Sequence, residues 1–299
     1  MEYPIAGSGA AVPKLPLWEV IKLSYSTYFE NFIDVLRIVW VWALLVIPVT
    51  AVASWLQVSW LGQMMTQMSH VHLQPGERLN LPAQPIALTV ASNASTLLLL
   101  FCGVGIAVAW HRRLILGEHP GISGSNIATR SFWSYILAGI IILSVSALPA
   151  FLVVVSTAYL LGFIGNAPSA KGFVLLPLLA VLYFVVAGAL LRLSLLLPAH
   201  AVGDVGLKLK EAWRATRGNT WRLFWGLSAC SGPPMVLMQV IFLVFIRIPT
   251  PMRFANPAFA TEFAAFGTLS MSYYLLMLPI TIGFLSHAYR HFFGGTRLA

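Results

Sequence analysis

The side chains in this chain that could do chemistry fall into three groups. Met64, Met68 and His72 recur at i, i+4 and i+8 within Met64-Met65-Thr66-Gln67-Met68-Ser69-His70-Val71-His72, so a helix would gather them on one face. Thioether and imidazole are ligands that copper favours. No cysteine lies nearby and there is no second cluster. An interfacial helix extension, with methionine packed and histidine wetted, accounts for the same pattern, and no metal is expected. The second group is basic. Lys208, Lys210, Arg214, Arg217 and Arg222 interleave with Trp213 and Trp221, and Arg112 and Arg113 form a smaller pair. Such cations at a membrane surface meet anionic headgroups, each contributing about 1 kcal/mol near a charged leaflet. The plainer alternative is that they only hold a loop on one side of the membrane. The third group is polar residues inside apolar runs. Arg192 is expected either to snorkel to a nearby interface or to pair with Asp34, Asp204 or Glu211. Asn93 reads as glue between helices or as part of a transport path.

Nothing else in the chain has a catalytic pattern. Gly121-Ile122-Ser123-Gly124-Ser125 has serine where a nucleophile elbow needs its last glycine. Gly103-Val104-Gly105 lacks a third glycine and any βαβ context. Glu30 and Asp34, at i and i+4, are flanked by Lys22 and Arg37, so salt bridging at a helix entrance is expected rather than proton transfer. Cys102 and Cys230 sit inside apolar runs and read as buried small hydrophobes. The sequence therefore predicts no catalytic residue, no metal and no cofactor. No basic patch alternates with stacking aromatics on a polar domain, which argues against nucleic acid as a partner.

The elements that must position these groups are long and apolar. Of 299 residues, 59% are hydrophobic and 9% charged, against about 25% charged in a soluble domain. Such a chain has too little polar surface to face water, so lipid is its solvent. Six windows without Lys, Arg, Asp or Glu are each long enough to supply the roughly 20 apolar residues of a spanning helix. They place spans near 35–57, 86–110, 133–163, 173–199, 222–246 and 267–290. Continuous rather than alternating runs favour helices over a barrel. The fold class expected is an all-α polytopic membrane protein, with residues 1–16 as a loose tail and 17–299 as one domain. The start has no basic segment followed by an apolar one, so a cleaved signal peptide is not expected.

Of the 18 Lys and Arg residues, those on alternate connections form one large group: Lys14, Lys22, Arg37, Arg112, Arg113, Arg130, Arg192, Lys208, Lys210, Arg214, Arg217, Arg222, Arg290 and Arg297. Arg78, Lys171, Arg247 and Arg253 fall on the other side. The positive-inside rule makes the richer side, with both termini, cytoplasmic. The pattern also repeats. Each of three units (about 17–121, 122–206 and 207–299) opens with a cytoplasmic amphipathic segment, enters a span bearing Pro48, Pro149 or Pro233-Pro234, and returns through a second span toward glycine. In Leu17–Phe32 the expected buried face is Trp18, Ile21, Tyr25, Tyr28 and Phe32. Close helix approach is expected at Gly103, Gly105, Ala107 and at Ala187, Gly188, Ala189.

Three stretches carry a family likeness. Arg192-Leu193-Ser194-Leu195-Leu196-Leu197-Pro198-Ala199, then Gly203-Asp204, then Glu211–Arg222 resemble a widespread group of bacterial six-helix membrane proteins. That group includes the membrane domain attached to some glycerophosphodiester phosphodiesterases. Ala109–Arg112 through Leu116–Gly121 is similar to the matching element in the first half. The resemblance implies inner-membrane residence and a link to envelope lipid; this chain carries no phosphodiesterase domain. Together these readings point to a non-catalytic inner-membrane protein that organises envelope lipid or a partner membrane complex, with a small transporter or channel as the alternative. Its partners would be lipids, preferentially anionic ones on the cytoplasmic side. Reporter fusions at either terminus should be shielded from reagents outside intact cells, and carbonate washing should leave the protein in its vesicles. External labelling of either end would overturn the orientation.

Overall fold

A computed structural model describes residues 13–70, 83–119, 128–165, 184, 186–204, 206–246 and 257–297. Every regular element among them is helical: α1 (Leu17–Glu30), α2 (Phe32–His70), α3 (Ile86–Leu116), α4 (Arg130–Gly165), α5 (Val186–Ala201), α6 (Leu209–Ala215), α7 (Thr220–Ile246) and α8 (Pro257–Arg297). Four stretches are long and apolar enough to cross a membrane: Phe32–Met68, Ile86–Leu116, Thr220–Val244 and Ala258–Gly294. They contain the expected spans 35–57, 86–110 and 267–290 and cover 222–246 up to Val244. Two apolar stretches are shorter over the described residues, Arg130–Val145 within α4 and Val186–Ala201. Residues 173–183 of the expected fourth span lie outside the described set.

Local sequence sets the helix ends. Pro16 and Pro85 stand just before α1 and α3, where a missing N–H costs nothing. Gly117 follows α3 at φ 71°, Gly203 follows α5 at φ 86°, and Gly218 separates α6 from α7 at φ 77°. A side chain would strain that left-handed backbone. The amphipathic segment expected to open the third unit is therefore not continuous but two helices, α6 and α7, broken at Gly218. The order short helix, proline-bearing long helix, returning helix occurs in α1–α2–α3 and in α6–α7–α8. Proline is not confined to the outgoing helices, since α8 contains Pro279.

α8 is the centre of the bundle. It packs most extensively on α2, and also on α1, α3 and α7, with a smaller contact to α5. α2 lies against both α3 and α8, and α4 against both α3 and α5. The outer surface is hydrophobic: Leu44, Val90, Leu100, Leu143, Val236 and Val244 are each more than 60% exposed. In water such a surface would aggregate; in hydrocarbon it costs nothing, and lipid is the solvent it fits. α1 packs most of the expected face: Ile21 and Tyr28 are buried and Tyr25 and Phe32 lie against the core, with Val20 and Ser24 buried beside them. Trp18 is the exception, at 71% exposed. The helix docks on α7 and α8.

Aromatic rings seated on glycines bring the helices close. Trp42 of α2 occupies the space a Cβ on Gly105 of α3 would need, and Phe284 of α8 does the same at Gly226 of α7. A Cβ on Gly188 would stand 2.8 Å from a Thr220 methyl. Gly105 and Gly188 were among the small residues picked out for close approach; Gly103, with only Leu278 at 4.0 Å, is roomier. We expect Gly105→Ala and Gly226→Ala each to cost about 1–3 kcal/mol, read as a lower melting temperature in detergent. Gly139→Ala, with nothing within 4 Å of its Cβ, should be neutral or stabilising. Equal effects at all three positions would disprove the seating.

Candidate functional site at the basic end

Most of the cations picked out in the sequence gather at one end of the bundle, but they do two different jobs. Arg112 and Arg113 adjoin the C-terminus of α3. Arg112 grips Glu118 with Nε to Oε2 at 2.8 Å and Nη2 to Oε1 at 2.6 Å. Its Nη1 donates to Ser131 Oγ at 3.2 Å and to the Ala201 carbonyl at 3.3 Å, so one guanidinium joins α3 to the starts and ends of α4 and α5. Arg113 donates to Asp34 Oδ2 at 3.0 Å and to Asn31 Oδ1 at 3.1 Å. Arg37 takes the other carboxylate oxygen of Asp34 at 3.3 Å, the helix-entrance bridge read from the sequence. The Asp34 carboxylate is largely withdrawn from solvent. Removing one partner from such a pair strands a charge, which makes the junction of α2 and α3 sensitive.

Arg222 also serves the protein. Its Nη1 donates to the Leu15 carbonyl at 2.5 Å. Asn219 accepts from Leu15 N at 2.9 Å and donates to the Pro13 carbonyl at 3.1 Å. The α6–α7 junction thereby holds residues 13–15 of the expected loose tail, and Leu15 is fully buried. Arg192 neither snorkels freely nor joins any of the ion pairs found among the described residues. It donates from Nε to Thr216 Oγ1 at 3.1 Å and from Nη2 to the Trp213 carbonyl. Its guanidinium carbon lies 3.7 Å from the centroid of the Trp213 ring, a cation–π contact that docks α6 on α5.

Lys208, Lys210, Arg214 and Arg217 remain. All four are exposed and none joins an ion pair among the described residues. They stand on or beside α6, with Trp213, Trp221 and Trp225 each between 42% and 55% exposed. Trp221 packs edge-on against Trp225 at 5.2 Å and stacks on Phe224 at 5.7 Å. Asn93 faces outward from α3. Away from the basic end, α2 and α3 meet instead through Thr50 Oγ1 and Ser95 Oγ at 3.3 Å. Met64 and Met68 lie on α2 and His72 lies outside the described residues; no cluster of His, Cys, Asp or Glu suited to a metal occurs among the described residues. Cys102 and Cys230 are buried and unbridged.

One functional contact was not read from the sequence. Pro233 and Pro234 have no N–H to offer the carbonyls of Ala229 and Cys230, four residues earlier. The Tyr25 hydroxyl of α1 donates to the first at 2.9 Å and reaches the second at 3.5 Å. Burial first, then Cys230 and Tyr273, hold this hydroxyl above the ordinary tyrosine range. Burial pushes neighbouring Tyr28 up to about 12. Both stay protonated across the physiological range, so Tyr25 is a constant donor. No family model, curated protein or solved structure matches the chain.

Tyr25→Phe keeps the ring and removes the donor. Leaving buried acceptors unmet should cost about 1–3 kcal/mol. With Pro233 and Pro234 both changed to alanine, the carbonyls regain helical partners, and Tyr25→Phe should then be nearly silent. Thermal unfolding of the four proteins in one detergent checks this; an unchanged penalty in the alanine background would refute the capping role.

Proposed function

We propose that the chain is a non-catalytic, multi-pass protein of a bacterial inner membrane that organises envelope lipid, or a partner membrane complex, through the cationic surface at its basic end. In this reading six spans form three hairpins of like orientation about an axis along the membrane normal, with both termini cytoplasmic. The observation that carries it is the division of labour among the cations. Arg112, Arg113 and Arg222 are engaged by protein groups, whereas Lys208, Lys210, Arg214 and Arg217 are turned outward beside three half-exposed tryptophans. Indole rings favour the boundary between hydrocarbon and headgroups, and cations there meet anionic lipid. The resemblance of Arg192–Ala199 and Glu211–Arg222 to bacterial six-helix membrane proteins implies the same link to lipid. A small transporter or channel is supported less well, because Arg192 is occupied in docking α6 and Asn93 faces away from its neighbours.

Changing Lys208, Lys210, Arg214 and Arg217 to glutamine should lower the ratio of phosphatidylglycerol to phosphatidylethanolamine that co-purifies in mild detergent. At about 1 kcal/mol per cation, the fall should reach roughly tenfold or more. The wild-type preference should also collapse near 1 M salt, where screening acts within about 3 Å. Arg112→Gln should instead lower stability and leave the ratio intact. A ratio indifferent to the fourfold change would refute the lipid surface.

A further inference from the structure

α7 and α8 touch at both ends and part in the middle. Near the basic end, Phe284 sits on Gly226. Toward the other end, Phe242 packs on Phe266 at 5.1 Å and on Phe263 at 6.3 Å. Between these two closures, where α7 carries Pro233-Pro234, lies a cavity of about 410 Å³. On α7 it runs from Cys230 to Gln239, and on α8 from Ser270 to Thr281. At 1.5 Å per residue the α7 wall is about 13 Å long. The cavity lies at the middle of both spans, so hydrocarbon, not headgroups, lies at its depth.

The lining defines the occupant. No Asp, Glu, Lys, Arg or His borders the cavity, so a phosphate or carboxylate head would be stranded there. Pro234, Met235, Met238 and Met277 give it deformable apolar walls. Yet Gln239 and Ser270 put polar groups at mid-depth. Thr268 and Ser272, on either side of Ser270, donate to carbonyls four residues back at 2.8 and 2.9 Å. The Ser270 hydroxyl is buried and makes no hydrogen bond among the described residues. A buried donor without an acceptor calls for a partner. We propose that this cavity binds a neutral membrane lipid whose compact head carries carbonyl acceptors, of the isoprenoid quinone class, with a head carbonyl accepting from Ser270 and Gln239. Such a head offers acceptors and no charge. It can therefore enter hydrocarbon where a phospholipid head cannot, and its chain continues between the helices. The site does not depend on the cationic surface, and loss of anionic-lipid preference would leave it standing.

The test uses the full chain purified from its native membrane in mild detergent, extracted with organic solvent and assayed for quinone by chromatography. Quinone-free protein is titrated in parallel with decylubiquinone. Wild type should carry quinone at a fixed ratio to protein. Met277→Trp, which fills the cavity, should lose it at least tenfold while eluting as wild type does. Ser270→Ala should weaken decylubiquinone binding about fivefold, the loss of one hydrogen bond, and carries the test if the tryptophan variant does not fold. Quinone absent from wild type together with no saturable decylubiquinone binding overturns the proposal, as does quinone retained undiminished by both variants. Phospholipid chains displaced by Met277→Trp in place of quinone would also overturn it. So would a disulfide-linked dimer through Met238→Cys in membranes, which would show a second copy of the chain in the cavity.

Discussion

A peptide group without a partner costs several kcal/mol in hydrocarbon, and that constraint shapes this chain. At several points where a helix stops or carries proline, a side chain from a distant part of the sequence meets the freed backbone. Tyr25 covers the carbonyls that Pro233 and Pro234 release. Arg112 reaches the Ala201 carbonyl at the end of α5, and Arg192 reaches the Trp213 carbonyl near the end of α6. Asn219 and Arg222 hold the backbone of residues 13–15. Arg112, Arg192 and Arg222 thus act as backbone ligands, for which a planar fork of donors on a long stem is well suited.

The contacts also join distant parts of the chain. The segment before α1 is held by the α6–α7 junction, and α1 itself lies on α7 and α8. The N-terminal helices are therefore closed by the C-terminal ones. Tyr289 of α8 donates to Asp204, after α5, at 2.9 Å, which ties α8 to the end of α5. Arg112 ties α3 to α4 and α5 through Ser131 and Ala201. Each of these junctions places a charged or hydroxyl side chain near the basic end, where the cost of holding a charge is lowest.

What the sequence made legible follows from the reach of each signal. Long apolar runs and the glycines after α3 and α5 are local facts of composition and φ, so four spans and those helix ends were readable. So was Arg37 with Asp34, three residues apart on one helix. Tyr25 and Asn219 were not, because their partners are more than 200 residues away and depend on which helices pack. Hydroxyl and amide groups on an amphipathic segment look alike whether they face water or a kinked helix. The stripe on α1 was readable except at its end: Ile21, Tyr25, Tyr28 and Phe32 pack, but Trp18 is exposed, because periodicity reports that a face exists and not how far along the helix a partner covers it. The α7–α8 cavity was hidden too, since Ser270 and Gln239 belong to different helices and neither is unusual alone.

His111 shows how tightly the basic end is determined. Ser286 Oγ lies 2.7 Å from His111 Nδ1 and 3.0 Å from the Ile282 carbonyl. Nε2 is left in the core without a partner among the described residues, with the Tyr135 ring centroid at 5.9 Å. Held by that bond in apolar packing, His111 pins α3 to α8. The two ends of the α8 contacts therefore differ in kind. Near the basic end, polar groups are paired so closely that α1, α3, α5 and α8 have little freedom to shift independently. At mid-membrane, α7 carries Pro233-Pro234, and the carbonyls those residues leave free are held from α1. Moving α7 away from α8 would therefore pull on Tyr25, which joins α1 to the cavity between these helices.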